Sequence, residues 1–353
     1  MRDREILIVN SDAVQAVLRG QERELIEIVR LAYIAHRRGE SALPHSTFLR
    51  FPGHDRNRAI ALPAFLGDGF RAAGLKWVSS FPDNIEAGLD RASAVVILNS
   101  ISTGRSETIL EASHISAKRT AASAALAAKV LAGSKNRHEV GLIGCGLINF
   151  EIVRFILATF PELNHLIAFD LDSARAAKFA ERVGPELGEM KVTIARSKEA
   201  VFEAASLISI ATTAITPHIG DLSMCARGAT ILHVSLRDIA PEVIVNCNNV
   251  VDDIDHVCRA QTSIHLAEQL AGHREFINCT LADLILSPRR DSLGEAEHER
   301  LSDAVTIFSP FGLGILDLAL SVRVRDLAES RGLGTVIHNF LPASWRGDKS
   351  ATA

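Results

Sequence analysis

From residue 138 to residue 310 the chain alternates short apolar runs with longer amphipathic stretches. The apolar runs predict strands at 139–143, 165–170, 190–195, 206–211, 229–235, 249–252 and 304–308. Between them, apolar positions recur at helical spacing, as over Ser173–Val183, Lys198–Ala205 and Ile239–Asn246. Such alternation predicts a mostly parallel sheet with helices on both faces, an α/β unit whose ligands lie outside the carboxyl ends of the strands. The segments after 143, 170, 211 and 235 are therefore expected to face a ligand.

The first 120 residues follow a different pattern. Ile6–Val9 predicts a short strand, Ser11 is placed to cap a helix over 12–18, and Glu22–Arg38 carries one apolar face along a longer helix. Segments 44–51, 58–65, 71–79 and 91–99 predict a β-rich run joined by Gly, Pro and Asn. Residues 106–132 are rich in Ala and Ser and predict a helical bridge, and Ile315–Ser330 predicts a final helix that returns to the first unit. The expected division is 1–120 plus 315–353 around an inserted 121–314.

At 353 residues the chain is long enough for two such cores. With 47% hydrophobic and 23% charged residues it reads as an ordinary globular protein. A net charge of −4 argues against nucleic acid as a partner, because no basic excess is available to neutralise phosphates. The opening Met-Arg-Asp-Arg-Glu is too charged for a secretory signal, and no apolar run approaches the ~20 residues of a membrane span. Cysteines at 145, 225, 247, 258 and 279 show no CxxC spacing, so free thiols in a cytoplasmic setting are expected, with neither a disulfide framework nor a zinc site.

The chemistry begins where the first strand of the inserted unit runs into Gly144-x-Gly146-x-x-Asn149. Gly144 permits a tight strand-to-helix turn. Gly146 lets the backbone, with Leu147 and Ile148 after it, approach a pyrophosphate at the helix N-terminus. The third position normally holds Gly or Ala so that helix and strand pack closely, and Asn149 puts that packing in doubt. Asp170 ends the second strand, near the place where a carboxylate binds adenosine ribose hydroxyls and repels a 2′-phosphate. That favours NAD over NADP, although Asp170 also fits a plain strand-end acid and Arg175 nearby leaves NADP open. Thr212 and Thr213, after the fourth strand, are expected to line the same cofactor cleft.

Several segments carry a resemblance that spans nearly the whole chain in order. They are Gly74-Leu-Lys-Trp-Val78, Arg91-Ala-Ser-Ala-Val-Val-Ile-Leu-Asn99, Glu111-Ala-Ser113, Arg119-Thr-Ala-Ala-Ser123, Gly141-Leu-Ile-Gly-Cys-Gly146, Asp238 and Phe311-Gly-Leu-Gly-Ile-Leu-Asp317. Together they resemble the ornithine cyclodeaminase/mu-crystallin family. The wording at 74–84 and at Val250-Val-Asp-Asp253 is most similar to the branch that releases 2,3-diaminopropionate for siderophores and other natural products. The resemblance implies a Rossmann-type doubly wound sheet inserted into an α+β domain for substrate binding and dimerisation. It implies NAD-dependent oxidation of N-(2-amino-2-carboxyethyl)-L-glutamate to a ketimine, hydrolysed to 2-oxoglutarate and L-2,3-diaminopropionate. Ornithine cyclodeamination, alanine oxidation, ketimine reduction and non-catalytic NAD(P) binding are the alternatives within the same family. A homodimer closing the first unit's sheet across a two-fold axis is also implied.

By this resemblance Lys76 is the active-site lysine that binds a substrate carboxylate, and Arg50 and Arg119 bind further carboxylates of a multiply anionic amino-acid substrate. Arg119 and Thr120 also reach the cofactor. Asp238 is the catalytic acid, and Asp317 lies at the nicotinamide side of the cofactor. Each has a plainer reading: a snorkelling lysine, a strand-end arginine at 50, a surface arginine at 119, an N-cap at 238 for Ile239–Asn246, and a helix cap at 317. His233, alone on an apolar strand, reads as a core histidine. Asp252, Asp253 and Asp255 read as a solvated strand end rather than a cation site.

Overall fold

A computed structural model describes residues 4–132, 138–188, 190–287, 304–343 and 345. The chain divides into two compact units, the first made of 1–20, 38–116 and 314–353 and the second of 21–37 and 117–313.

The first unit is built on a mixed sheet. Its strands are β1 (Ile6–Val9), β2 (Ser41–Ala42), β3 (Thr47–Phe51), β4 (His54–Leu66), β5 (Ala72–Ser80), β6 (Ala92–Asn99), β7 (Ser106–Glu111) and β16 (Thr335–Ile337). The order is β16-β1-β7-β6-β5-β4-β2, with β3 on β4; only β1 and β7 run parallel. Among the described residues this unit holds the α-helices α1 (Ser11–Leu18) and the later α11 (Gly314–Ser330), and α11 packs on β4, β5 and β6. The cap of α1 is Asn10, whose side chain accepts from the Ala13 N–H, so the helix starts at Ser11 and Ser11 is not its cap. Residues 106–111 are strand rather than helix. Thr108 and Leu110 are buried in alternation, a period-two pattern that the Ala-rich stretch behind it obscured.

One face of this sheet is covered and the other is open and apolar. Leu62, Lys76, Val96 and Leu110 lie side by side across β4, β5, β6 and β7, and all four are buried. On the opposite face the cross-strand row Ala61, Trp77 and Val95 leaves Trp77 and Val95 exposed, and Phe65 is exposed on the same side.

The second unit is a parallel sheet. Its strands are β8 (Glu139–Ile143), β9 (His165–Phe169), β10 (Lys191–Ile194), β11 (Leu207–Ile210), β12 (Thr230–His233), β13 (Asn248–Val251), β14 (Ile277–Thr280) and β15 (Thr306–Ser309). The order is β10-β9-β8-β11-β12-β15-β13-β14, every neighbouring pair being parallel. In order of appearance the first five strands run 3-2-1-4-5, the doubly wound arrangement whose ligand crevice opens where the order reverses, between β8 and β11. The helices are α2 (Glu22–Arg37), α4 (Leu147–Thr159), α5 (Ser173–Leu187), α6 (Lys198–Ala204), α7 (Pro241–Ile244), α8 (Ile254–Val257), α9 (Ser263–Ala271) and α10 (Leu281–Leu286). α3 (Ser113–Ala132) carries the chain from the first unit into the second. β11 and β12 are buried at every position, as strands covered on both faces must be.

Sequence order placed α2 with the first unit, but it packs against α4 and α10 in the second. β14 is a strand that the hydrophobic pattern did not announce. Its Cys279 and Thr280 are only half-buried, and it lies at the sheet's edge.

Gly74 is where β5 and β6 and α11 come closest. A Cβ there would sit 2.2 Å from the Ile97 carbonyl oxygen and 3.1 Å from Leu318 Cδ2. Backbone cannot move aside as a side-chain tip can. Gly74→Ala is therefore expected to cost about 1–3 kcal/mol in denaturant unfolding, as overpacking does. An unchanged unfolding midpoint would show that the strands separate freely at this point.

Candidate functional site

In the first unit the structure brings Lys76 and Asp317 together. Lys76 is on the covered face of β5, and its Nζ lies 2.7 Å from Asp317 Oδ2 in the first turn of α11. Both side chains are almost wholly buried, at 2% and 0% exposure, so each charge depends on the other. The Lys76 ammonium also donates to Ser116 Oγ at 3.3 Å. Arg50 stands apart from this pair, exposed on β3 opposite Arg58.

In the second unit the turn after β8 has the shape its glycines foretell. Gly144 takes φ +95°, and a Cβ on it would fall 2.5 Å from the Ala211 carbonyl oxygen. Gly146 is the N-cap of α4 and makes no side-chain cap bond; a Cβ on it would meet nothing within 4 Å. Open space in front of exposed N–H groups is what an approaching anion requires. Leu147 is exposed and Ile148 half-buried beside it, and Arg175, Lys178 and Arg182 of α5 line the same depression. Asp170 accepts from the Cys145 N–H at 2.8 Å and from the Asp172 N–H at 3.0 Å, which fixes its carboxylate against the turn.

Asn149 closes this turn from behind. Its amide is fully buried, donating to the Ile143 and Gly144 carbonyl oxygens at 3.1 and 2.6 Å and accepting from Ser209 Oγ at 2.7 Å. The departure from Gly or Ala is thus accommodated by hydrogen bonds that join α4, the turn and β11.

Asp238 lies in the loop after β12 and is fully buried. Its Oδ1 accepts from Thr212 Oγ1 and from His218 Nε2 at 3.2 Å. Its Oδ2 accepts from Ser235 Oγ at 2.5 Å, with His233 Nε2 at 3.3 Å. Burial pushes this carboxyl up, but His233, Ser235 and Thr212 outweigh it and hold the group well below the usual carboxylate range. Asp238 does not cap a helix, since α7 begins after Ala240 and has no side-chain cap bond. His233 is a core histidine as expected, yet it belongs to this cluster: its Nδ1 faces Ser309 Oγ at 3.4 Å and its Nε2 faces the Asp238 backbone N–H at 3.2 Å. Thr213 is exposed beside Thr212. His218 and Ser235 carried no motif in the sequence and became visible only through their contacts with Asp238.

Arg119 and Thr120 are half-buried on α3. The Arg119 guanidinium lies against Gly312, where φ is +92° and a Cβ would come within 2.6 Å of Nη1. That turn is held in place by Asp252, which accepts from the Phe311 and Gly312 N–H groups at 2.8 and 2.7 Å. Asp252 is therefore not part of a solvated strand end. It is buried, and burial pushes its carboxyl upward against those backbone bonds. Asp253 next to it pairs with His256 at 2.8 Å and His36 at 3.2 Å. Among the described residues no cluster of His, Cys, Asp and Glu could hold a metal ion, and no helix is long and apolar enough to cross a membrane.

The sequence profile of the ornithine cyclodeaminase/mu-crystallin family matches residues 10–275. The chain is 27% identical over 345 residues to the N-((2S)-2-amino-2-carboxyethyl)-L-glutamate dehydrogenase of Staphylococcus aureus, covering 96% of this chain and 100% of that one. An archaeal alanine dehydrogenase, solved as a dimer with bound NAD, is 25% identical with a TM-score of 0.81, covering 94% of this chain and 99% of that one. The Δ1-pyrroline-2-carboxylate reductase of Thermococcus litoralis, solved with NADH and L-proline, shares the fold at 23% identity and a TM-score of 0.84, over 94% of this chain and 99% of that one.

Removing the Asn149 amide takes a donor from the Ile143 and Gly144 carbonyls and the acceptor from the buried Ser209 hydroxyl, while the Ile143 oxygen keeps the Ala211 N–H. Asn149→Ala is expected to lower unfolding stability by about 2–3 kcal/mol, within the range for buried groups left unsatisfied. A cycle with Ser209→Ala should show the two changes to be coupled rather than additive. Additive costs would mean that the amide acts on the turn alone.

Proposed function

The chain belongs to the ornithine cyclodeaminase/mu-crystallin family, and on that premise we propose that it is a cytoplasmic NAD-dependent dehydrogenase acting on N-(2-amino-2-carboxyethyl)-L-glutamate. The products are 2-oxoglutarate, L-2,3-diaminopropionate and NADH, with water consumed and one proton released. The observation that carries this reading is the likeness to the Staphylococcus aureus enzyme over 96% of this chain and 100% of that one. NAD rather than NADP is supported by Asp170 at the end of β9, a carboxylate that opposes a 2′-phosphate.

The residues divide the work by their chemistry. The turn at Gly144 and Gly146, with the first N–H groups of α4 at Leu147 and Ile148, suits the cofactor's pyrophosphate. Thr120, Thr212, Thr213 and Asp317 are assigned to the cofactor with them. Bound NAD supplies the hydride acceptor. Arg50, Lys76 and Arg119 are the cations assigned to the substrate's carboxylates, arginine by its planar fork and lysine as a point charge. A substrate with three carboxylates calls for several cations, whereas a simple amino acid needs fewer. Lys76 and Asp238 are assigned to the proton chemistry at the carbon being oxidised, Asp238 together with the side chains gathered around its carboxylate. Holding the reacting groups in one orientation accounts for much of the acceleration.

The test is to mix the purified chain with NAD and the aminocarboxyethyl-glutamate, follow reduced nicotinamide, and identify the products. NADH together with 2-oxoglutarate supports the reading. Proline and ammonia from ornithine, without net NADH, would replace it with cyclodeamination; cofactor binding without turnover of any amino acid would make the chain a binding protein. Lys76→Met is expected to abolish NADH formation and to destabilise the fold by about 3–5 kcal/mol, because the buried Asp317 carboxylate loses the ammonium 2.7 Å from it. The double change Lys76→Met with Asp317→Leu should recover the stability without the activity. Recovery of both would remove Lys76 from the reaction.

We also propose that the open apolar face of the first unit's sheet, with Phe65, Trp77 and Val95 exposed on it, is covered by a second copy of the chain. The wild-type protein is expected to sediment as a dimer at micromolar concentration, and Trp77→Glu with Val95→Glu as a monomer. A monomeric wild type would overturn this.

A further inference from the structure

The carboxylate of Asp238 has little capacity left to act on a substrate. Its four acceptor positions face Thr212, His218, Ser235 and His233, and it is fully buried. Three of these four neighbours are themselves closed off. Thr212 Oγ1 accepts from the Ala214 N–H, Ser235 sits against the Ile210 carbonyl, and His233 is 0% exposed. His218 is the exception. Its side chain is 39% exposed, and its ring is anchored only through Nε2 to Asp238 Oδ1.

Residue 218 is fixed to residue 238 twice. Besides the ring contact, the His218 N–H donates to the Asp238 carbonyl oxygen at 2.8 Å, and the Ile219 N–H donates to the same oxygen at 2.8 Å. Ile219 and Ile239 then form an isolated parallel bridge. The loop after β11 is thereby stitched to the loop after β12, at the carboxyl edge of the sheet where this fold binds its ligands. A neutral imidazole that donates from Nε2 carries its lone pair on Nδ1, so the carboxylate selects the tautomer whose outward nitrogen is a base. The charged group in contact with the ring is Asp238, with His233 on the other carboxylate oxygen. Arg237 in the same loop turns its guanidinium to the Ala260 carbonyl instead.

From this geometry we infer that His218 is the proton carrier of the reaction and that Asp238 is the residue that positions it. The inference deepens the dehydrogenase reading and rests on it. As the Cα–H electron pair leaves as hydride for NAD, which becomes NADH, the amine N–H proton passes to His218 Nδ1 and the C=N bond forms. Water then adds across the C=N bond; as the C–N bond breaks, His218 returns the proton to the departing amine and the hydroxyl proton of the adduct is released to solvent as the C=O bond forms. The pair is a His–Asp dyad, with the histidine touching the reacting atoms and the aspartate acting through it.

The experiment uses the full chain with NAD. His218→Gln is expected to lower kcat about 100-fold or more, the usual contribution of general base catalysis, and to remove the acidic limb of the pH profile. The KM values for NAD and substrate should stay within about threefold, as for a group that acts in the transition state. Asp238→Asn should lower kcat too, with the double variant little worse than either single one. Added imidazole should rescue His218→Ala, which a purely structural histidine would not allow. Retention of kcat and of the acidic limb in His218→Gln would overturn the proposal.

A second arm does not depend on turnover. Ring 15N NMR of His218 should show the Nε2–H tautomer in the wild-type chain and a mixture of both tautomers in Asp238→Ala, because the acceptor that selects Nε2–H has gone. An unchanged tautomer would break the dyad. If the wild-type chain forms no NADH from the aminocarboxyethyl-glutamate while the tautomer does depend on Asp238, the substrate reading fails and the dyad stands.

Discussion

A lysine in the middle of a covered sheet face is the constraint around which the first unit is organised. Lys76 sits in a row with Leu62, Val96 and Leu110, surroundings in which an unpaired ammonium is untenable. Its partner, Asp317, comes from more than 200 positions later in the chain, on a helix that packs over the same strands. The pair gives the returning helix an electrostatic reason to sit in one register rather than another on an otherwise greasy surface. Gly74, two residues before Lys76 on β5, lets that helix approach, since Leu318 occupies the space a side chain would need. The nucleotide-type unit can be inserted between 117 and 313 because the first unit's continuity is restored by this contact and not by the sequence order alone.

Within the second unit the demanding place is the turn after β8. Its first glycine is obligatory twice over, by a positive φ and by the Ala211 carbonyl that faces it. Asn149 meets a related problem by different means. Instead of a small residue that lets helix and strand close by shape, a buried amide supplies polar contacts to both carbonyls at the end of the strand and to Ser209 on the neighbouring one. A fully satisfied buried amide is compatible with tight packing, whereas an unsatisfied one would not be. The cost is dependence: Ser209 must remain a donor, which the small-residue version would not require.

How much was legible in the sequence follows from what each signal depends on. The alternation of strands and helices from 138 onward depends on burial period alone, and the parallel sheet follows from it. The strand at 106–111 was hidden because its alternation is only six residues long and abuts a long Ala-rich helix. Lys76 stood out because a lysine among apolar residues needs an explanation, but the sequence could not say that Asp317 supplies it. Asp238 looked like a cap because Asp before a Pro-Glu pair is a good one; the helix begins later and its aspartate is spent elsewhere. His218 gave no signal, because a histidine in a Thr- and Pro-containing loop acquires meaning only from what tertiary structure places beside it. Asp252 was misread for the same reason: its acceptors serve the backbone of residues 59 and 60 positions away.

Asp238, Asp252 and Asp317, all buried, show how the same side chain is given different chemistry by its neighbours. Asp317 faces an ammonium, so its charge is opposed by a fixed cation. Asp252 faces three backbone N–H groups, those of Asp253, Phe311 and Gly312, which do not change their charge, so it serves as an anchor for the turn against Arg119. Asp238 alone faces hydroxyls and imidazoles, groups whose protons can be exchanged. Of these the hydroxyls have pKa values far outside the working range, and His233 is sealed from solvent. A carboxylate held charged by its neighbours gains nothing as a base, but it strengthens an imidazole that it orients, because each stabilises the charged form of the other. On the proposal made above, the proton at this edge of the sheet is carried by the accessible ring, and the acid that is easier to find in the sequence orients it.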